Sequence, residues 1–162
     1  MKTNRAPLGK DDAMKIYFVS DHAGLSLRQS LFMHVEATGH DTFDLGPAEN
    51  SSVDYPDFAV KLASALLQDC QAFGVAICGS GIGISIALNR FSWVRAALVS
   101  QPTVAALSRQ HNNANVLVLG ERLIDSDVAE QCVDHFLSSL FEEGRHQRRV
   151  DKLSQLGEKS GN

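Results

Sequence analysis

The sequence predicts an α/β fold: a single three-layer α/β/α domain around a five-stranded parallel sheet of Rossmann-like type. Three observations carry this. Short apolar or β-rich runs recur along the chain: KIYFV (15–19), TFDL (42–45), GVAI (74–77), AALV (96–99) and VLVL (116–119). Each is followed by a stretch able to form a helix, except the second, which a turn-rich loop separates from its helix. The connections are otherwise brief. Strands that alternate with helices need crossover connections, so the sheet is parallel and covered on both faces.

The elements follow in order. After the first strand, Leu27, Leu31 and Val35 recur at helical spacing from Leu25, and Gly39 offers a stop. Thr42–Leu45 forms the second strand. Residues 46–55, GPAENSSVDY, collect turn formers and read as a loop. Pro56 suits the first turn of a helix running to about Gln68. Gly74–Ile77 is the third strand, with a helix from about Gly83 to Asn89. Ala96–Val99 is the fourth, and Pro102 opens the helix after it. Val116–Leu119 is the fifth. A long helix is expected from about Ser126 to Glu142, and a last one from about Arg145. The order of strands across the sheet is not legible.

A chain of 162 residues suits one domain, and no repeat, linker or second core interrupts residues 14–150. Residues 1–13 are polar, lack the apolar stretch of a signal peptide, and are expected to be a disordered extension before Met14. Residues 151–162 are expected to hold a helix end and a fraying polar tail. No segment approaches the roughly 20 apolar residues that span a bilayer. A net charge of −4 weighs against nucleic acid or an anionic membrane as partner. Cys70, Cys78 and Cys132 form no C-x-x-C pair and leave one over in any disulfide scheme. Reduced thiols in the cytoplasm are the simpler reading.

Ligands of open α/β sheets sit at the carboxyl ends of the strands, and the polar oddities of this sequence read as falling there. Strand one ends in Ser20-Asp21-His22-Ala23-Gly24, strand three in Cys78-Gly79-Ser80-Gly81-Ile82-Gly83, and strand five runs into Gly120-Glu121-Arg122. His111 and Asn112, just before strand five, are placed on the same rim. The glycine loop is not a dinucleotide fingerprint, being G-x-G-x-G after the third strand without a well-placed acidic residue about 20 positions on. It is either a structural turn or an anion hole, with backbone N–H groups facing negative charge. Cys78 is accordingly either a small buried hydrophobe or a base, since a helix N-terminus favours thiolate. Cys70 and Cys132 read as inert residues within helices. His34, His40 and His135 read as surface or satisfied core histidines. Arg145 and Arg149 share one helical face and make either a phosphate clamp or a solvated patch. Metal binding is not expected, because no two histidines share a helix face at i, i+4 beside a carboxylate.

Taken together, SDHAG (20–24), DYPDFA (54–59), ICGSGIGISIALNR (77–90), RAALVS (95–100), LSRQHNNANVLVLGERLI (107–124) and EGRHQRRV (143–150) resemble one family. It is that of the type B ribose-5-phosphate isomerases and their galactose-6-phosphate isomerase relatives. The resemblance implies interconversion of phosphorylated aldoses and ketoses without metal or organic cofactor. It also implies homodimers, or dimers of dimers, whose active sites draw on two subunits. Carried over, the base is Cys78; a second branch of the family uses a glutamate where Ile84 stands here. His111, aided by Asp21, corresponds to the ring-opening acid/base. His22, Arg145 and Arg149 correspond to the phosphate grip, while Tyr55, Asn112 and Arg122 line the sugar pocket. Ser80 replaces a common threonine and keeps the hydroxyl. Gly79, Gly81, Ile82 and Gly83 supply amides to the substrate. The expected substrate is ribose 5-phosphate with ribulose 5-phosphate. Allose 6-phosphate, galactose 6-phosphate or a four-carbon ketose phosphate could use the same machinery, and a non-catalytic sugar-phosphate or nucleotide sensor remains a different class of reading.

Overall fold

The computed structural model describes residues 13–156; the expectations for residues 1–12 and 157–162 lie outside the described residues. Eleven elements succeed one another: β1 (Lys15–Ser20), α1 (Leu25–Ala37), β2 (Asp41–Asp44), α2 (Tyr55–Gln68), β3 (Phe73–Cys78), α3 (Ile82–Leu88), β4 (Ala96–Leu98), α4 (Pro102–Asn112), β5 (Val116–Gly120), α5 (Ser126–Ser138) and α6 (Arg145–Ser154). The strands pair in parallel in the order β2-β1-β3-β5-β4. No helix among the described residues is long and apolar enough to cross a membrane.

Alternation along the strands divides the core into two layers. Phe73, Val75 and Ile77 of β3 join Leu117 and Leu119 of β5 in a buried cluster completed by α1 and α5. Ala76 and Cys78 join Val116 and Val118 on the other face, closed by Phe58, Leu62 and Leu66 of α2 and Ile84 and Leu88 of α3. Every residue of β3 is buried, as expected of a central strand covered on both sides. Chain direction across the sheet reverses between β1 and β3, which opens a crevice at their carboxyl ends. Asp21 and Cys78 stand at that crevice.

Two buried arginines fix the segments that carry the functional side chains. Arg28, 1% exposed, donates from Nη1 to Ser20 Oγ (3.1 Å) and from Nη2 to the Pro47 carbonyl (2.6 Å), with Nε 3.3 Å from Asp44. It ties the end of β1 to the loop that leads to α2; burial lowers its pKa and Asp44 opposes that shift. Arg109 lies over the rings of Phe73 and Phe136. Its Nη1 donates to Asn113 Oδ1 and the Ala114 carbonyl, holding the chain where α4 ends, with Asn113 at φ +47°.

Three expectations need correction. The helix after β5 stops at Ser138 rather than Glu142. From extended Ser139 the chain turns so that the Glu142 amide donates to the Gln110 carbonyl at 3.0 Å, and Glu143 and Gly144 take positive φ. Cys70 is exposed in the turn after α2, not packed within a helix; Cys132 does pack in α5, fully buried, where desolvation pushes its thiol up to about 11. His111 and Asn112 are not on the rim of the strand carboxyl ends. α4 returns the chain to the opposite edge before β5 begins, as every crossover between parallel strands must.

Candidate active site

One group of predicted residues gathers at the carboxyl ends of β1, β3 and β5. The Asp21 amide donates to the Ile77 carbonyl (3.2 Å), and its carboxylate accepts from the amides of Ala23 and Gly24 at 2.9 and 3.1 Å. The carboxylate thus caps a single 3-10 turn, His22–Gly24, and is held on the rim. His22 is exposed, with Nδ1 3.3 Å from both the amide and the carbonyl of Val53. That contact joins the β1 end to the loop preceding Tyr55.

The thiol ends β3. Cys78 is 4% exposed, and its Sγ accepts from the Gly81 amide at 3.1 Å. Gly81 reaches that position at φ +77°, a left-handed conformation that a Cβ disfavours. The Ile82 amide donates to Ser80 Oγ at 3.3 Å. Two of the loop's amides are therefore engaged within the loop, which leaves Gly79, Ser80 and Gly83 as the donors for a ligand. Two side chains roof this loop. The Arg122 amide donates to the Gly79 carbonyl (3.0 Å), and its guanidinium lies so close that a Cβ on Gly79 would stand 3.0 Å from Nη1. A Cβ on Gly83 would meet the Tyr55 ring at 2.6 Å. An arginine fork at Gly79 and a phenol at Gly83 thus flank the loop of main-chain amides that follows the buried thiol, chemistry suited to a polyhydroxylated anion.

A second group forms at the other edge of the sheet. The His111 ring, at the end of α4, stacks on that of His146 in α6, with centroids 4.4 Å apart and planes 7° from parallel. Nε2 of each ring stands 3.8 Å from the same oxygen, Glu142 Oε2. Arg145 Nε lies 3.5 Å from His146 Nε2. Burial lowers the pKa of His146, and the charges of His111, Arg145 and Arg149 add to that; Glu142 opposes it. Arg145 and Arg149 both belong to α6, one turn apart, as the sequence predicted. This cluster has the composition of an anion site.

His111, Glu142 and His146 offer donor atoms within 4.8 Å of one another, two imidazoles and a carboxylate that a divalent ion accepts. The arrangement nonetheless fits an ion poorly. Lone pairs lie in the imidazole planes, and two parallel planes do not converge on one point. The nearby arginines repel a cation besides.

The two groups do not meet within one chain. Gly74 pairs with Val116 at the start of β3 and β5, and Cys78 pairs with Gly120 at their end. The Gly74 amide donates to the Asn115 carbonyl, which marks the edge where α4 ends. Four residue steps of strand put roughly 13 Å between that edge and the thiol. Cys78, Asp21, His22, Tyr55, Ser80 and Arg122 are on one side of this gap; His111, Asn112, Arg145 and Arg149 are on the other.

A family model described as Ribose/Galactose Isomerase matches residues 16–153. The chain belongs to the ribose/galactose isomerase family. It is 39% identical over 142 residues to ribose-5-phosphate isomerase B of Escherichia coli (strain K12), covering 88% of this chain and 95% of that one. The crystal structure of a ribose 5-phosphate isomerase from Thermotoga maritima superimposes with a TM-score of 0.87 at 43% identity, covering 90% of this chain and all of the other. The Mycoplasma genitalium ribose-5-phosphate isomerase B, solved with bound ribulose-5-phosphate, gives a TM-score of 0.87 at 40% identity, covering 91% and 98%.

Within this isomerase family, Ile84 is informative. It is fully buried in the same apolar layer as Cys78, so its side chain is part of the core. Two residues of the second group escaped the sequence reading of this family member, His146 and Glu142. The available signal was position: His146 lies between Arg145 and Arg149, directly after a glycine that starts the helix.

Proposed function

We propose that this chain interconverts ribose 5-phosphate and ribulose 5-phosphate, with each active site assembled from two copies of the chain. The observation that carries the reading is the Cys78 thiol, buried at the end of β3 and bonded to a loop of main-chain amides that Arg122 and Tyr55 flank at Gly79 and Gly83. The separation of this group from His111 and the α6 arginines supports the shared site, since one chain holds both sets of groups and cannot join them.

The chemistry assigns each residue a task. A pentose phosphate arrives mainly as a ring, so His111 moves a proton between the anomeric hydroxyl and the ring oxygen, aided by Asp21 of the other copy. Cys78 then takes the proton from C2 of the open aldose. Electrons left on carbon flow to the carbonyl oxygen, giving an enediolate whose negative oxygen is held by the free loop amides and the Ser80 hydroxyl. The thiol returns the proton to C1 while the hydroxyl proton passes from O2 to O1, giving the ketose. His22, Arg145 and Arg149 hold the phosphate, and Tyr55, Asn112 and Arg122 orient the hydroxyls. Phosphate binding distant from the reacting carbons supplies orientation that the proton transfers require. No metal or organic cofactor takes part in this scheme. Three free cysteines fit a reducing compartment, and we place the protein in the cytoplasm on that ground.

Comparing kcat/KM across four-, five- and six-carbon sugar phosphates tests the substrate. Ribose 5-phosphate is expected to lead; a six-carbon aldose phosphate well ahead of it would overturn the assignment. Solvent deuterium entering C2 tests the reaction class, because exchange requires a working base. Ligand-induced thermal stabilisation without exchange would make the protein a sensor.

A further inference from the structure

Ring opening gives His111 a proton to deliver, yet two side chains beside it, His146 and Glu142, have no task in that scheme. Their geometry supplies one. The two imidazole rings lie face to face, centroids 4.4 Å apart and planes 7° from parallel. Ring N–H bonds lie in the ring planes, so neither ring can donate to the other and no proton passes directly between them. Each ring instead places Nε2 3.8 Å from one oxygen, Glu142 Oε2. The Glu142 amide donates to the Gln110 carbonyl at 3.0 Å, which fixes this carboxylate to the last turn of α4, the turn that carries His111.

Charge decides how many protons the pair of rings holds, and where. Two stacked imidazolium rings repel, whereas one imidazolium is attracted to the face of a neutral ring. A single carboxylate offsets a single positive ring. His111 is in the last turn of α4, where the helix dipole favours a cation, and its side chain is 38% exposed. His146 is in the first turn of α6, where the dipole opposes a cation. It is buried, and Arg145 Nε stands 3.5 Å from its Nε2. Burial, with the charges of His111, Arg145 and Arg149, lowers its pKa against Glu142. Neighbouring charges on the packed helices face elsewhere: Arg109 of α4 lies over Phe73 and Phe136, and Glu130 and Asp134 of α5 turn to His34 of α1. The proton therefore belongs to His111.

We propose that His146 and Glu142 are positioning residues for ring opening: His146 is the flat, uncharged platform that holds the His111 ring, and Glu142 keeps the one proton of the pair on His111 for delivery to the ring oxygen. The inference rests on the isomerase reading and adds two residues to it. In this step the C1–O4 bond breaks and its electron pair leaves on O4, which takes the His111 proton. The anomeric hydroxyl then loses its proton to the vacated imidazole nitrogen, leaving the C1 carbonyl of the open aldose.

The choice of substrate separates this step from the proton transfers on carbon. Ribose 5-phosphate closes through O4 and has to be opened. Ribulose 5-phosphate cannot close a five-membered ring, because its O5 carries the phosphate, so its C1 hydrogen exchanges with solvent without ring opening. Glu142→Gln and His146→Ala should lower kcat for ribose 5-phosphate at least about tenfold, part of what a general acid supplies, while solvent deuterium exchange into C1 of ribulose 5-phosphate falls at most about twofold. His146→Phe keeps a ring face on His111 and should lose less turnover than His146→Ala. Equal losses of turnover and exchange overturn the proposal, since damage to the fold or to sugar binding lowers both. Unchanged turnover in Glu142→Gln overturns it too. His146→Phe as impaired as His146→Ala overturns the platform role and makes His146 a proton carrier. An unmodified chain that neither converts ribose 5-phosphate nor exchanges deuterium removes the isomerase reading and this proposal with it. A fully active parent whose variants lose both activities equally removes this proposal alone.

Discussion

His146 lies flat against His111, ring centroids 4.4 Å apart, with one carboxylate oxygen of Glu142 standing 3.8 Å from each. Burial sets the direction of the His146 shift, and the positive neighbours His111, Arg145 and Arg149 reinforce it against Glu142. A histidine whose native pKa lies below its unfolded value binds fewer protons when folded, so stability rises with pH. The contribution is complete above the ordinary value of 6.5 and is lost as pH falls through it toward the native value. His146→Phe keeps an aromatic face on His111 and removes the titration. Its Tm should therefore fall less between pH 7 and pH 5 than that of the parent; equal falls would mean that other groups govern acid sensitivity here.

Cys78→Ser should lower kcat at least about a hundredfold, the lower range for losing a positioned base. The serine hydroxyl can keep the bond from the Gly81 amide, so fold and sugar-phosphate affinity should change little. Steady-state rates with calorimetric titration of a non-reacting pentose phosphate analogue separate the two. Near-full turnover in the variant would remove sulfur from the reaction.

Arg149→Ala should act mainly on KM, raising it roughly ten- to a hundredfold, the range for losing a bond to a charged group. Turnover at saturation should stay within a small factor, because α6 stands apart from the carbons that exchange protons. An unchanged KM would return Arg149 to the role of a solvated surface charge.

Glu143 has a φ of +58° and is exposed, next to Gly144 at +53°. A residue with a Cβ is strained in that region. Glu143→Gly should relieve the strain, partly offset by greater freedom of the unfolded chain. The net gain is about 0.5–1 kcal/mol, which raises Tm by roughly 1–4 °C. A lower Tm would show that the glutamate side chain contributes more than its backbone costs.

Much of the fold was legible because periodicity reports burial directly. β3 reads as a continuous apolar run because both of its faces are covered, and Leu27, Leu31 and Val35 recur because one face of α1 is. The thiol loop was legible for a related reason. Strands end where their apolar run ends, so Cys78 and the glycines after it had to lie on the carboxyl rim. The long helix was read too far because nothing local in LSSLFEE stops a helix. It ends at Ser138, where the following chain is drawn to Gln110, a contact between segments distant in sequence. His146 and Glu142 were missed for the same reason, since their roles arise only when α6 docks beside the end of α4.

The amino-acid order alone determined the alternation of strands and helices, the glycine-rich bend after Cys78 and the pairing of Arg145 with Arg149 on one helical face. Each follows from interactions within about two helical turns or one strand. Tertiary structure decided where these pieces sit relative to one another. A crossover helix carries the chain back across the sheet before the next parallel strand, so residues preceding a strand lie at the edge opposite those that follow one. Cys78 and His111 therefore occupy opposite edges of one sheet.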